Sequence, residues 1–225
     1  MADNSILSKG IRLYEEKSYT DSLAYFLSLP TDGTIDSIES AYYIGLCYSQ
    51  LERYEDAMLY LEQVVTSCTD QERVLQCRFL LAVIYCLSGR KRLSEFELQK
   101  LLETGYRKAS VYAAMAFIAW QNKNTDEAID LYEKALACDE DNVTALNGLG
   151  YILAEENREL TKALSYCKKA VQLEPNSAAC LDSLGWIYYK LGLRKDALSY
   201  LSQAARLAGN NEEIAEHLHI AETSI

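Results

Sequence analysis

Apolar residues between Leu181 and Ala204 fall into two helical phases. Leu181, Leu184, Gly185 and Tyr188 recur at spacings of three, one and three, and Ala197, Leu201 and Ala204 at spacings of four and three. At ~100° per residue each set forms one stripe along a helix, and the intervening polar residues mark a turn. The same two-helix pattern recurs along the whole chain, with units starting near residues 3, 38, 75, 109, 143 and 178. A shorter amphipathic segment follows at about 212–222, where Ile214, Leu218 and Ala221 share a face. The pattern predicts thirteen helices and an all-α protein.

Within the unit beginning at Ala178, the apolar and small residues occupy positions 4, 7, 8, 11, 20, 24 and 27. This spacing resembles a tetratricopeptide repeat. The resemblance implies two helices per unit that cross at small residues, and units stacked as a right-handed superhelical solenoid. It also implies one solenoid domain over residues 1–225, with the segment after Asn211 as a C-terminal capping helix.

The units differ in how well they match. The second is clean, with Ala41, Ile44, Gly45, Tyr48, Ala57, Leu61 and Val64 in register. The first carries Lys9 where a leucine is usual, which suits an end unit open to water, and a turn is expected at Thr31–Thr34. The third has extra residues around Cys68–Arg73, and Ser94 replaces its position-20 alanine. In the fifth, one extra residue between Glu155 and Leu160 lengthens the turn between its helices.

The resemblance also assigns an inner surface. Positions 5, 9 and 12 of each first helix point away from the packing stripe, and in the family that second stripe lines a concave groove. Position 9 here is Ile11, Leu46, Val83, Phe117, Tyr151 and Trp186, apolar or aromatic in every unit. Position 5 contributes Tyr42 and Phe79 before turning polar at Asn147 and Asp182, and position 12 contributes Cys86, Trp120 and Tyr189. The candidate partner-binding residues are therefore Tyr42, Leu46, Phe79, Val83, Phe117, Trp120, Asn147, Tyr151, Asp182, Trp186 and Tyr189. A large bare apolar lining is uncommon on soluble monomers, and Trp and Tyr are frequent interface anchors. Asn147 is placed to meet a peptide backbone, and Asp182 or Glu155 a basic side chain.

Charge narrows the partner. With 22 Lys and Arg against 33 Asp and Glu, the net charge is −11. Nucleic-acid binding needs clustered cations, so basic or neutral proteins are the expected partners. The one dense basic run, Arg90-Lys91-Arg92, is expected in a turn between helices. The lysine and arginine set with which chaperone-binding members grip a carboxylate is missing from the groove stripe. No window approaches the ~20 apolar residues of a membrane span. Seven cysteines at irregular spacing, and an N-terminus without the basic lead and apolar run of a signal peptide, point to a cytoplasmic protein.

Catalytic and metal signals are sparse. His217 and His219 are the only histidines; two apart on a helix they diverge, so both are expected at the surface. Cys47, Cys77, Cys167 and Cys180 fall near packing positions and read as core residues. These readings suggest no enzyme and no cofactor. They favour a scaffold or adaptor that binds a peptide or helical segment of another protein in its groove, with a chaperone of a secreted client as a narrower version. The alternative is a self-associating homo-oligomer that builds a larger assembly.

Overall fold

The computed structural model describes residues 3–30 and 37–223, and the turn expected at Thr31–Thr34 lies outside the described residues. The described residues form thirteen α-helices and no strand. They gather into two compact units, Met1–Tyr106 and Arg107–Ile225. The first unit contains α1 (Asp3–Glu15), α2 (Tyr19–Leu27), α3 (Ser37–Gln50), α4 (Tyr54–Ser67), α5 (Gln71–Leu87) and α6 (Lys91–Glu103). The second contains α7 (Ala109–Gln121), α8 (Thr125–Cys138), α9 (Val143–Glu155), α10 (Leu160–Leu173), α11 (Ala178–Lys190), α12 (Arg194–Ala208) and α13 (Glu212–Thr223). Odd-numbered helices up to α11 are the first helices of the repeats, and each of them packs most extensively on the helix that follows.

These first helices all stop in the same way. The residue after the C-cap takes a left-handed conformation, at Lys17, Glu52, Gly89, Lys123, Asn157 and Gly192. The next amide then reaches back five residues, as in Arg53 N–H to the Tyr48 carbonyl at 2.9 Å and Leu193 N–H to the Tyr188 carbonyl at 2.9 Å. This is the Schellman arrangement, which satisfies the last carbonyls and turns the chain sharply into the second helix. Four starts carry side-chain caps. Asp70, Asn142, Ser177 and Asn211 accept amide hydrogen bonds at the beginnings of α5, α9, α11 and α13.

The helices of a pair touch at the small residues of position 8. A Cβ on Gly185 would lie 2.7 Å from Leu201 Cγ and 2.9 Å from the Leu201 amide nitrogen. In the first and third repeats serine stands for alanine at position 20 and uses its hydroxyl at the same crossing. Ser22 Oγ donates to the Gly10 carbonyl at 2.9 Å, and Ser94 Oγ to the Ala82 carbonyl at 2.6 Å, both buried. Each substitution thus keeps the close approach and leaves no polar group unmatched.

Each unit has its own core. Phe26, Ile44, Cys47, Leu61, Val64, Cys77 and Leu81 pack together in the first. Ala116, Tyr132, Leu149, Ile152, Leu153, Cys167, Leu184 and Ile187 pack together in the second. The four cysteines expected in the core are all buried. The extra residues of the third repeat include the start of α5, which runs from Gln71 to Leu87 with Asp70 as its cap. That start brings Arg73 onto Glu39 and over the Tyr42 ring. Of the basic run, only Arg90 remains in the turn, where it meets Glu55; Lys91 and Arg92 belong to the first turn of α6.

Candidate functional site

In the second unit five of the position-5, position-9 and position-12 residues of α7, α9 and α11 converge on one groove of about 530 Å³. Phe117 and Trp120 come from α7, Asn147 and Tyr151 from α9, and Asp182 and Ser183 from α11, while Asn211, Glu213 and Ile214 close the side at α13. Five of the predicted residues therefore meet here: Phe117, Trp120, Asn147, Tyr151 and Asp182. Phe117 is the apolar residue most open to water among them, at 42% exposed.

Part of the groove floor is Tyr132, which reaches it from α8 because Gly148 has no side chain. A Cβ on Gly148 would collide with the Tyr132 ring and hydroxyl. Burial pushes the Tyr132 phenol well above its ordinary range, so it stays protonated. Next to this glycine, Asn147 Oδ1 is shut off from solvent and has no hydrogen-bond partner among the described residues. Buried acceptors are normally satisfied. This one borders the groove.

The end of the groove is closed by α13. His217, expected at the surface, is buried at 6% exposure, and this corrects the sequence reading. Its Nδ1 lies 2.9 and 3.1 Å from the two oxygens of Asp182, itself 5% exposed. Its ring stacks on Trp186 with centroids 4.2 Å apart. Sequence spacing could not show this, because the contact depends on how α13 docks on α11 and α12 rather than on the helix's own periodicity. Burial alone would depress the imidazole, but the Asp182 hydrogen bond and the charges of Asp182, Glu213 and Glu155 outweigh it and raise its pKa. The protonated ring is thereby favoured.

Trp186 is consequently covered. Its Nε1–H donates to Glu155 Oε1 at 2.5 Å, Tyr189 stacks against it with centroids 5.0 Å apart, and the Lys190 ammonium lies 4.9 Å from its ring centre. Trp186 and Tyr189 thus stand beside the groove as the wall behind His217, and neither lines it. Tyr151 does line it, and its hydroxyl donates to Glu213 Oε1 at 2.8 Å. Burial and then the Glu213 hydrogen bond raise the Tyr151 phenol well above its ordinary value.

The first unit holds the remaining predicted residues, Tyr42, Leu46, Phe79 and Val83, all half-buried. Tyr42 donates to Gln76 Oε1 at 3.2 Å and lies under the Arg73 guanidinium, 4.9 Å from its centre. Burial pushes the Tyr42 phenol up to about 12. The Cys86 thiol is likewise pushed up by burial, which lowers its thiolate fraction and its reactivity. Among the described residues, no three His, Cys, Asp or Glu side chains converge as a metal site requires, and no helix is long and apolar enough to cross a membrane.

Comparison with known proteins gives a consistent result. Three tetratricopeptide repeat sequence profiles match residues 38–70, 113–178 and 177–209, together more than half of the chain. No curated protein matches. Among solved structures, the APC/C hetero-tetramer Cut9–Hcn1 is similar over 96% of this chain with a TM-score of 0.79 at 14% identity. This chain spans only 42% of that one. A tetratricopeptide repeat protein from Parabacteroides merdae is similar over 97% of this chain and 83% of its own, with a TM-score of 0.73 at 14% identity. YrrB, described as a tetratricopeptide repeat protein with an unusual peptide-binding site, is similar over 80% of this chain and 90% of its own, with a TM-score of 0.53 at 17% identity. At these identities the likeness is one of fold.

Proposed function

The chain belongs to the tetratricopeptide repeat family, and from that premise we propose that it is a non-catalytic interaction scaffold whose second unit holds a short segment of a partner protein. One observation carries the reading: the aromatic groove at Phe117, Trp120 and Tyr151 borders a buried, unpaired Asn147 Oδ1. An extended or helical segment brings both things this surface needs. Its apolar side chains cover the rings, and a backbone or side-chain N–H satisfies the amide oxygen. The peptide-binding site of YrrB is a precedent on the same fold. Residence in the cytoplasm and chaperone duty toward a secreted client are narrower forms of the same proposal.

The test is selection of a displayed random-peptide library on the immobilised protein. The expected result is an enriched consensus whose binding falls at least tenfold in Phe117→Glu, with the helical circular dichroism of the variant unchanged. Absence of any enriched peptide, or binding indifferent to Phe117→Glu, contradicts the proposal. Light scattering on the same two proteins addresses self-assembly. An oligomer of the wild type that Phe117→Glu dissolves would make a second copy the occupant.

A further inference from the structure

We infer that the segment held in this groove carries a basic side chain, arginine or lysine, directed toward Glu213 and Glu174. The inference rests on the reading of the groove as a peptide site and adds the chemistry of its occupant.

The charged residues lining the groove are Glu174, Asp182 and Glu213, and no Lys, Arg or His lines it with them. They are not equivalent. Asp182 already has both oxygens on His217. Glu155, just outside, is engaged by the Trp186 indole and by Lys190 at 3.5 Å. The two carboxylates that the sequence offers to a basic partner are therefore taken by this chain's own residues.

Glu174 and Glu213 remain. Neither forms an ion pair among the described residues, unlike Glu97 with Arg78 at 2.6 Å and Asp126 with Arg158 at 2.8 Å. The Tyr151 hydroxyl holds one oxygen of Glu213 and fixes the carboxylate at the groove's edge. Its second oxygen remains available to a cation.

The walls suit the same side chain. A guanidinium or ammonium on a flexible apolar stem can lay that stem along aromatic rings and place its charge at the rim. Arginine in addition stacks on ring faces and bonds a carboxylate through two N–H groups. An acidic segment would instead meet Glu174 and Glu213 with no cation lining the groove to compensate, in a chain whose net charge is −11.

The experiment uses the peptide enriched on the full-length protein. The expected consensus contains a fixed arginine or lysine. Replacing that residue by glutamine weakens binding roughly two- to fivefold on wild type, the range for a partly exposed ion pair, by less on Glu213→Gln, and has no effect on the Glu174→Gln/Glu213→Gln protein. Glutamine keeps an acceptor for Tyr151, so the groove wall is retained; Glu174→Gln, at an exposed site, serves as the second variant should Glu213→Gln alter the circular dichroism. A Phe117-dependent consensus without a basic residue, or a basic residue whose effect is the same in all these proteins, overturns this inference and leaves the peptide site standing. Failure to enrich any Phe117-dependent peptide overturns both.

Discussion

At the scale of single residues, the repeats are defined by where side chains are absent. Gly185 crosses α12 so closely that a methyl group would press on the Leu201 backbone as well as its side chain. Gly185→Ala should therefore destabilise the protein by about 1–3 kcal/mol, read as a lowered denaturation midpoint with unchanged slope. The turn at Gly192 is different. It has φ +74° and open space around it, so Gly192→Ala meets only backbone strain, of about 1 kcal/mol. Lys123 occupies the equivalent left-handed position without being glycine. Lys123→Gly should accordingly stabilise slightly, by about 0.5 kcal/mol, since relief of the left-handed strain is offset by the entropy of the freer unfolded chain. Equal destabilisation by both glycine-site and lysine-site exchanges in thermal unfolding would argue against this account of the turns.

At the scale of helices, much was legible from spacing. Starts near 38, 109, 143 and 178 coincide with α3, α7, α9 and α11 to within a residue, because small residues at position 8 and caps such as Asn142 and Ser177 are local signals. The left-handed turns at Lys17, Glu52 and Lys123 were not legible, since no glycine marks them and the stacked helices impose the conformation. The fifth repeat's extra residue is absorbed by two left-handed residues in one turn, Asn157 and Glu159. The docking of α13 was half legible. Its apolar stripe announced a cap, but the buried partners of His217 come from α11 and could not be read from the helix itself.

That docking gives a pH dependence with a definite sign. The folded-state pKa of His217 is raised above its unfolded value, so the stability it contributes is fully present below about pH 6.5 and is lost as pH rises through the folded pKa. The groups facing the ring are Asp182 from α11, Glu155 and Tyr151 from α9, and Glu213 from α13 itself. Comparing His217→Gln with wild type by chemical denaturation, the stability difference should be largest in mild acid and shrink toward alkaline pH. A difference that grows as pH rises would mean the imidazole is held neutral. Asp182→Leu, which leaves a buried imidazole without its carboxylate, should cost about 3–5 kcal/mol at neutral pH and abolish the pH-dependent part.

At the scale of the whole chain, two compact units each carry their own core, and the groove with an unsatisfied polar atom belongs to the second. Seven of the eleven residues that spacing nominated lie in that unit. Five line the groove, whereas Trp186 and Tyr189 support it from behind, a division that only the docking of α13 could decide. The central claim is that a partner segment lies on the Phe117–Trp120–Tyr151 wall, and the two tryptophans of the chain allow a direct reading. With Trp186→Phe, all tryptophan emission comes from Trp120 at the groove; with Trp120→Phe, it comes from Trp186 beneath His217. Titrating each protein with the enriched peptide should shift or quench the Trp120 emission along the binding curve and leave Trp186 nearly unchanged. Saturable binding with a silent Trp120 would place the partner elsewhere and contradict the account.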